Sequence, residues 1–371
     1  MNKPAERPPQ TVSPETSQEE LSGINPRLIA VVGVGDAGNV TINHLKDSRT
    51  TGIKYIAIDT DIHRLGATHA TQKILIEGVA ERGLGLGESL TTRQSVIMAS
   101  SRKQIEKALS NMDVTFVATA LGGDSETVAA SMVAEIARAE GSIVIGVVVM
   151  PPHPKKGRIS RAAQSVAEIQ AQCDTIMVID NEKLRRLASD LLPDKASEFA
   201  CQVSADAIDG IIDTMLDPCL IKLDFTRFRE IVKRGGLAVV GIGESDAPDR
   251  AKRAVRKALG SPLLDADCSG AGGALVHITG DDKMTLEEAN RVGEMVAEMM
   301  HENALVSWGA RVNPSLPGIL RVTLVMTGVQ SPRWLGGFDT STLGLYDMDP
   351  LEEHEKPLQV DLDLHQIENF E

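Results

Sequence analysis

Aromatic residues are scarce in this chain: six Phe, two Tyr and two Trp among 371 residues. Positive charge is in deficit too, the formal net charge being −14. Without rings to stack bases or cations to offset phosphates, nucleic-acid binding is excluded, and an anionic membrane surface is disfavoured. No apolar run reaches the roughly 20 residues of a spanning helix, so no direct membrane insertion is expected. The opening residues, MNKPAERPPQTVSPETSQEE, hold no apolar core of the secretion-signal kind. A cytoplasmic protein is expected. Cysteine is limited to Cys173, Cys201, Cys219 and Cys268, with no C-x-x-C and no nearby histidine pair. That pattern supports neither a disulfide framework nor a metal site and leaves reduced core thiols.

What is present is a run of short, β-branched segments alternating with helical periodicity. LIAVVG (28–33), IKYIAID (53–59), DVTFVAT (113–119), SIVIGVVVM (142–150) and DTIMVID (174–180) are almost continuously apolar. Strands of a parallel sheet buried on both faces read in this way. With ETVAASMVAEIARAE and similar segments between them, they predict an α/β class, a doubly wound Rossmann-like domain. A long central helix follows. LAVVGIGE, GGALVHITG and GILRVTLVMTG, separated by APDRAKRAVRKAL and TLEEANRVGEMVAEMMHENA, then predict a smaller α+β second domain. The Met-rich face of the last helix reads as core packing. The expected division is a disordered tail over 1–25, the Rossmann-like domain over 26–193, the central helix over 194–217, the second domain over 218–335, and an acidic, mostly disordered tail over 336–371.

Three glycine-rich loops stand at strand ends: GVGDAGN (33–39), RGLGLG (82–87) and ALGGDSET (120–127). Glycine lets the backbone turn sharply and approach a phosphate, and the helix that follows offers a positive dipole end. Gly33, Gly35 and Gly38 satisfy the G-x-G-x-x-G spacing of dinucleotide domains, so the first loop alone leaves an NAD-binding domain open. Three such loops are more than a dinucleotide domain requires.

Taken together and in order, VVGVGDAGNVTINHL, YIAIDTD, RGLGLG, DVTFVATALGG, CDTIMVIDNEKL, LIKLDF, AVVGIGE, SPLLDADCSGAGGALVHITG and WGARVNPSL resemble FtsZ, the prokaryotic relative of tubulin. The resemblance spans about residues 27–329. It implies the tubulin/FtsZ fold, head-to-tail filaments, and GTP or GDP held between subunits, with Mg only where nucleotide is bound. It implies nucleotide contacts at Gly33, Gly35, Gly38, Asn39, Gly85, Gly87, Gly122, Gly123, Thr127 and Asn181. Asp224 corresponds to one of the two acids of the family's catalytic loop.

The departures from that pattern fall on the chemistry. Where the family reads G-G-G-T-G-T-G, this chain reads Gly122, Gly123, Asp124, Ser125, Glu126, Thr127, Val128. A family glycine is Asp36, an asparagine is Asp59, and Val40, Ser197 and Cys201 replace groups that meet the nucleotide. In the catalytic loop Lys222 and Arg227 replace an asparagine and an acid, and an arginine stays protonated and cannot act as a base. Like charges about 4–6 Å apart cost on the order of 1–4 kcal/mol each, so Asp124 and Glu126 oppose a polyphosphate. A single acid here also suits a helix cap. One reading pairs Lys222, Arg227 and Arg229 of one copy with Asp36, Asp59, Asp124 and Glu126 of the next. This gives an FtsZ-like filament or scaffold of cell division or shape, with weak or absent GTPase activity, assembling alone or with an active FtsZ. The alternative is an active, divergent GTPase that holds a metal ion against GTP. The terminal VDLDLHQIENF reads either as a frayed acidic tail or as a docking peptide for a partner.

Overall fold

The computed structural model describes residues 28–45, 52–76, 101–121, 124–151, 156–181, 184, 193–216, 219–261 and 270–329. The two tails, Gly85, Gly87, Gly122, Gly123 and Cys268 lie outside the described residues, as does the side chain of Asp124.

Ten strands form one sheet: β1 (Ile29–Val34), β2 (Ile53–Asp59), β3 (Gln72–Leu75), β4 (Val114–Ala120), β5 (Ile143–Val149), β6 (Thr175–Ile179), β7 (Leu237–Ser245), β8 (Gly273–Gly280), β9 (Leu305–Val312) and β10 (Leu320–Val329). Their spatial order is β3-β2-β1-β4-β5-β6-β7-β10-β8-β9. The run from β3 to β7 is parallel throughout, and β10 lies antiparallel between β7 and β8. The first six strands thus have the doubly wound order, and the strand order reverses between β1 and β4. The second half continues the same sheet through β6 and β7, which pair only at Ile176–Leu237 and Met177–Ala238.

Alternation along each strand sets the layers. In β1, Ala30, Val32 and Val34 face one apolar cluster, and Ile29 and Val31 face another. The first is covered by α3 (Asp124–Ala139), α4 (Lys156–Gln170), α7 (Arg250–Leu259) and α8 (Leu286–Met299). The second is covered by α5 (Pro193–Met215) and α6 (Phe225–Lys233). Two further helices, α1 (Gly35–His44) and α2 (Ile62–Ala67), pack at the β1–β2 end through Ile42, Ala57 and Leu65. The eight strands expected from sequence are present, and β3 and β9 are additional. Both are sheet edges, where half-exposed residues break the apolar run. On α8 the methionine face is divided: Met295 is buried and Met299 is exposed.

The central helix α5 opens on proline, whose missing N–H costs nothing in a first turn. One side buries Ala205, Ile208, Ile212 and Met215. A second stripe at helical spacing is acidic: Asp206, Asp209 and Asp213. Asp213 is paired with Arg311 of β9, and Asp206 accepts from Gln202 Nε2 at 3.0 Å. Asp209 has a buried Oδ1 without a hydrogen-bond partner. Burial first, then Asp213 and Asp206, pushes its carboxyl up to about 8, with Arg311 opposing.

A folded-state acid held above its unfolded value of about 3.9 favours the fold fully below that value. The contribution is lost as pH rises through about 8. Asp209→Asn is therefore expected to exceed the parent in stability by on the order of 5 kcal/mol at about pH 9, and the gain should vanish near pH 4. Urea unfolding of both chains across that range checks it; a difference independent of pH would contradict the assignment.

Candidate functional site

In an open parallel sheet a ligand crevice forms outside the carboxyl ends of the strands where their order reverses. Here that point is the adjacent ends of β1 and β4, where α1 and α3 begin. The turn from β1 into α1 is possible only with glycine. Gly35 has φ +72°. A Cβ on Gly33 would stand 2.3 Å from the carbonyl oxygen of Gly38, and one on Gly38 would stand 2.3 Å from that of Ala118. Helix α1 therefore lies backbone to backbone against the sheet, with Thr119 donating to the Val34 carbonyl at 3.1 Å. Val34, at the N-cap of α1, supplies no side-chain hydrogen bond. The amides of this first turn receive no side-chain cap from Val34.

Glu126 reaches into that space from the first turn of α3. A Cβ built on Gly35 would lie 2.5 Å from Glu126 Cγ and 3.5 Å from its Oε1. The Glu126 side chain thus lies against Gly35 at the start of α1, and Ser125 donates to its other oxygen at 3.3 Å. An anion near an uncapped helix start is stabilised by about 0.3–1 kcal/mol. Asp36 stands exposed in the first turn of α1. A phosphate group entering here would meet Glu126 and stand beside Asp36. The Thr127 hydroxyl donates to Ser165 Oγ at 3.2 Å, and Val128 is buried in the core.

Asp59 lies at the end of β2 with its side chain 1% exposed. Arg64 grips both oxygens, at 3.0 and 2.8 Å. Asn39 Nδ2 donates to Asp59 at 2.9 Å, and so does the Asp61 amide. Asp59 is thus neutralised within its own chain. Arg64 escaped the sequence reading; its only signal is a cation five residues after the strand-end acid in DTDIHR. The buried Oδ1 of Asn39 has no hydrogen-bond partner, nor has that of Asn181. Asn181 Nδ2 donates to Ser197 at 3.3 Å. Cys201 is buried and hydrogen-bonded to Thr41, and burial pushes its thiol up to about 11. Cys173 and Cys201 are free and buried, and Cys219 is partly buried.

The N-terminal part of α5 therefore belongs to this site. Its other end leads to Asp224, which caps α6 by accepting from the Thr226 amide at 2.7 Å and the Arg227 amide at 3.4 Å. Lys222, Arg227 and Arg229 are exposed around it, with Arg229 over the Phe225 ring at 5.8 Å. At 1.5 Å per residue, α5 holds these cations about 30 Å from the acidic crevice. The chain brings together Gly33, Gly35, Gly38, Asn39, Asp36, Asp59, Glu126 and Asn181, and keeps Asp224 and its cations apart from them. Among the described residues no cluster of acids, histidines or cysteines could hold a metal. No described helix is long and apolar enough to cross a membrane.

Residues 28–189 match the Tubulin/FtsZ family GTPase domain, and residues 236–330 match the FtsZ family C-terminal domain. The chain is 41% identical over 312 residues to cell division protein FtsZ 2 of Methanocaldococcus jannaschii, covering 83% of this chain and 82% of that one. It is 37% identical over 366 residues to cell division protein FtsZ 1 of Thermococcus kodakarensis, covering 96% and 95%. Among solved structures, an empty FtsZ dimer from M. jannaschii superposes with a TM-score of 0.77 at 38% identity, covering 85% of this chain and 93% of that one. A GTPγS-bound CetZ2 protofilament from Haloferax volcanii gives 0.68 at 19% identity over 86% and 98%, a likeness of fold alone.

The pairing of Asp59 has a measurable consequence. Removing one partner of a buried ion pair strands the other charge. Because Arg64 is itself 41% exposed, Arg64→Ala is expected to cost about 2 kcal/mol in urea unfolding. Adding Asp59→Asn should return part of it; equal stability of parent and Arg64→Ala would refute the pairing.

Proposed function

The chain belongs to the tubulin/FtsZ family, and from that premise we propose that it is an end-to-end filament subunit of cell division or cell shape whose phosphate cradle is filled by its own acidic side chains. The observation that carries this reading is Glu126 lying over Gly35 between the two helix N-termini. GTP binding and hydrolysis are then weak or absent, and Asp224 serves as the cap of α6 instead of a catalytic acid. With the cations of Lys222, Arg227 and Arg229 at one end of α5 and the anions of Asp36 and Glu126 at the other, these opposite charges cannot meet within one copy. They can meet between copies stacked head to tail, alone or alongside an active FtsZ. Asp59 drops out of this contact, because Arg64 already neutralises it. Ion pairs of this kind favour register and partner choice even where their net energy is small. The acidic tail over 336–371 is then available for a docking partner, and the protein works in the cytoplasm.

One observation favours a second reading. The unpartnered oxygens of Asn39 and Asn181 are acceptors in a polar crevice, where a nucleotide's amino and hydroxyl groups could donate. An active GTPase would need Glu126 to swing out and a magnesium ion to enter with the phosphates.

Titration calorimetry with GTP and GDP, with and without magnesium, separates the two. The first reading expects no micromolar binding by the parent and a gain of at least about tenfold in affinity in Glu126→Gly, since one like-charge contact is worth about 1–4 kcal/mol. Micromolar binding by the parent would establish the second. In sedimentation without nucleotide, Arg227→Glu is expected to weaken assembly and the added Asp36→Arg to restore part of it. Assembly indifferent to both changes would remove the ionic contact.

A further inference from the structure

The segment DRAKRAVRKAL places five cations in eleven residues of a strongly acidic chain. In α7 the apolar positions Ala254, Val255 and Ala258 turn inward and are buried. At 100° per residue, Lys252, Arg253, Arg256 and Lys257 then straddle the outward pole, and all four are exposed. Arg253 is engaged by Asp249 at 2.7 Å. Helix α8 has the opposite character. Ala289, Val292, Gly293 and Val296 face the sheet, which leaves Glu287, Glu294 and Glu298 exposed along its outward stripe. Arg291 on that stripe is paired with Glu294 at 3.6 Å.

The two helices lie side by side on one face of the sheet. Each follows a strand, β7 or β8, and these strands run in the same direction because both are antiparallel to β10. The helices are therefore parallel. Arg250, the first residue of α7, is clamped to Glu288 near the start of α8 at 2.7 and 3.0 Å and to Asp281 at 2.9 Å. Glu288 also closes the capping box of α8 with Thr285. The inner charges are thus consumed in fixing the pair, and the outer charges are left as a positive ridge beside a negative one.

We propose that this face is a self-complementary docking surface for a second copy of the chain, related by a twofold axis running along the helices. That axis places each basic α7 over the partner's acidic α8; a twofold across the helices would set like charge on like. The surface is distinct from the end-to-end contact, which uses the start of α6. Exposed ion pairs are weak singly, about 0–1 kcal/mol each, so one pair of copies associates loosely. Two rows of subunits repeat the contact, and linked contacts multiply. The surface therefore joins filaments side by side, a step that rests on the end-to-end reading.

The test uses full-length chains carrying Arg227→Glu, Lys222→Glu and Arg229→Glu, so that all three cations of the end-to-end contact are reversed and side-by-side pairing is read by sedimentation velocity. At about 0.05 M salt a concentration-dependent dimer is expected, weakening at least about tenfold at about 0.5 M. Lys252→Glu with Arg256→Glu should abolish it, as should Glu294→Lys with Glu298→Lys. All four changes together should restore it to within about threefold of the starting affinity. Unchanged thermal melting and circular dichroism show that the variants fold. Absence of a dimer at low salt, a dimer indifferent to either pair of reversals, or a fourfold variant that fails to pair would overturn the proposal. So would binding to vesicles with about one-third anionic lipid that depends on α7 alone, which would assign the ridge to a membrane. Failure in this background leaves the end-to-end contact untouched, since electron microscopy of the parent chain reads filaments independently.

Discussion

The structure turns on a close backbone approach. Gly33, Gly38 and Ala118 stand so near one another that a single methylene at either glycine would fall 2.3 Å from a carbonyl oxygen. That contact pins the start of α1 to the point where the strand order reverses, and α1 in turn packs on the central helix α5 through Thr41 and Cys201. The position of the crevice, the orientation of its amides and the anchoring of α5 all follow from the absence of two side chains. Loosening it would move the first turn of α1 and the front end of α5 together.

Around this fixed frame, acids of similar sequence appearance meet different fates. Asp59 lies under the surface, where an unpaired carboxylate would be costly, and it is held by Arg64, Asn39 and a backbone amide. Asp36, a few residues past β1, stays in water. Glu126 is intermediate: its side chain lies against Gly35 and its carboxylate accepts from Ser125. One cation five residues from Asp59 thus separates a structural acid from those left to act on a neighbour or a ligand. Helix capping explains Asp224 in the same way.

The fold was legible because parallel strands buried on both faces write an almost unbroken apolar run, as in IVIGVVV. The glycine turns were legible because no other residue fits them. Edge strands β3 and β9 were not, since QKIL and LVSWGARV mix polar and apolar residues on half-exposed backbone. Side-chain direction was not legible either. The family resemblance implies a nucleotide contact at Thr127; its hydroxyl donates to Ser165 of α4, and the helix phase at the start of α3 decides which way it points. The pairing of Asp59 depends on α2, a six-residue helix too short to announce itself by periodicity.

A chain of net charge −14 repels its own copies at long range, and salt confines that repulsion to about 8 Å under physiological conditions. Association must then come from places where local charge departs from the average. The described cations depart from it most clearly at the start of α6 and along α7. Many others are spent inside the fold, Arg64 on Asp59, Arg250 on Asp281 and Glu288, and Arg311 on Asp213. A cation left outward in such a chain is a directional element. It can lower the free energy of one arrangement of neighbours while the background charge disfavours the rest. Rigid α5 then converts the separation of charge along the chain into a separation in space, and the sheet does the same for the ridges of α7 and α8. On the proposed reading, polarity and partner choice depend on where the outward cations cluster, more than on any gain in binding energy.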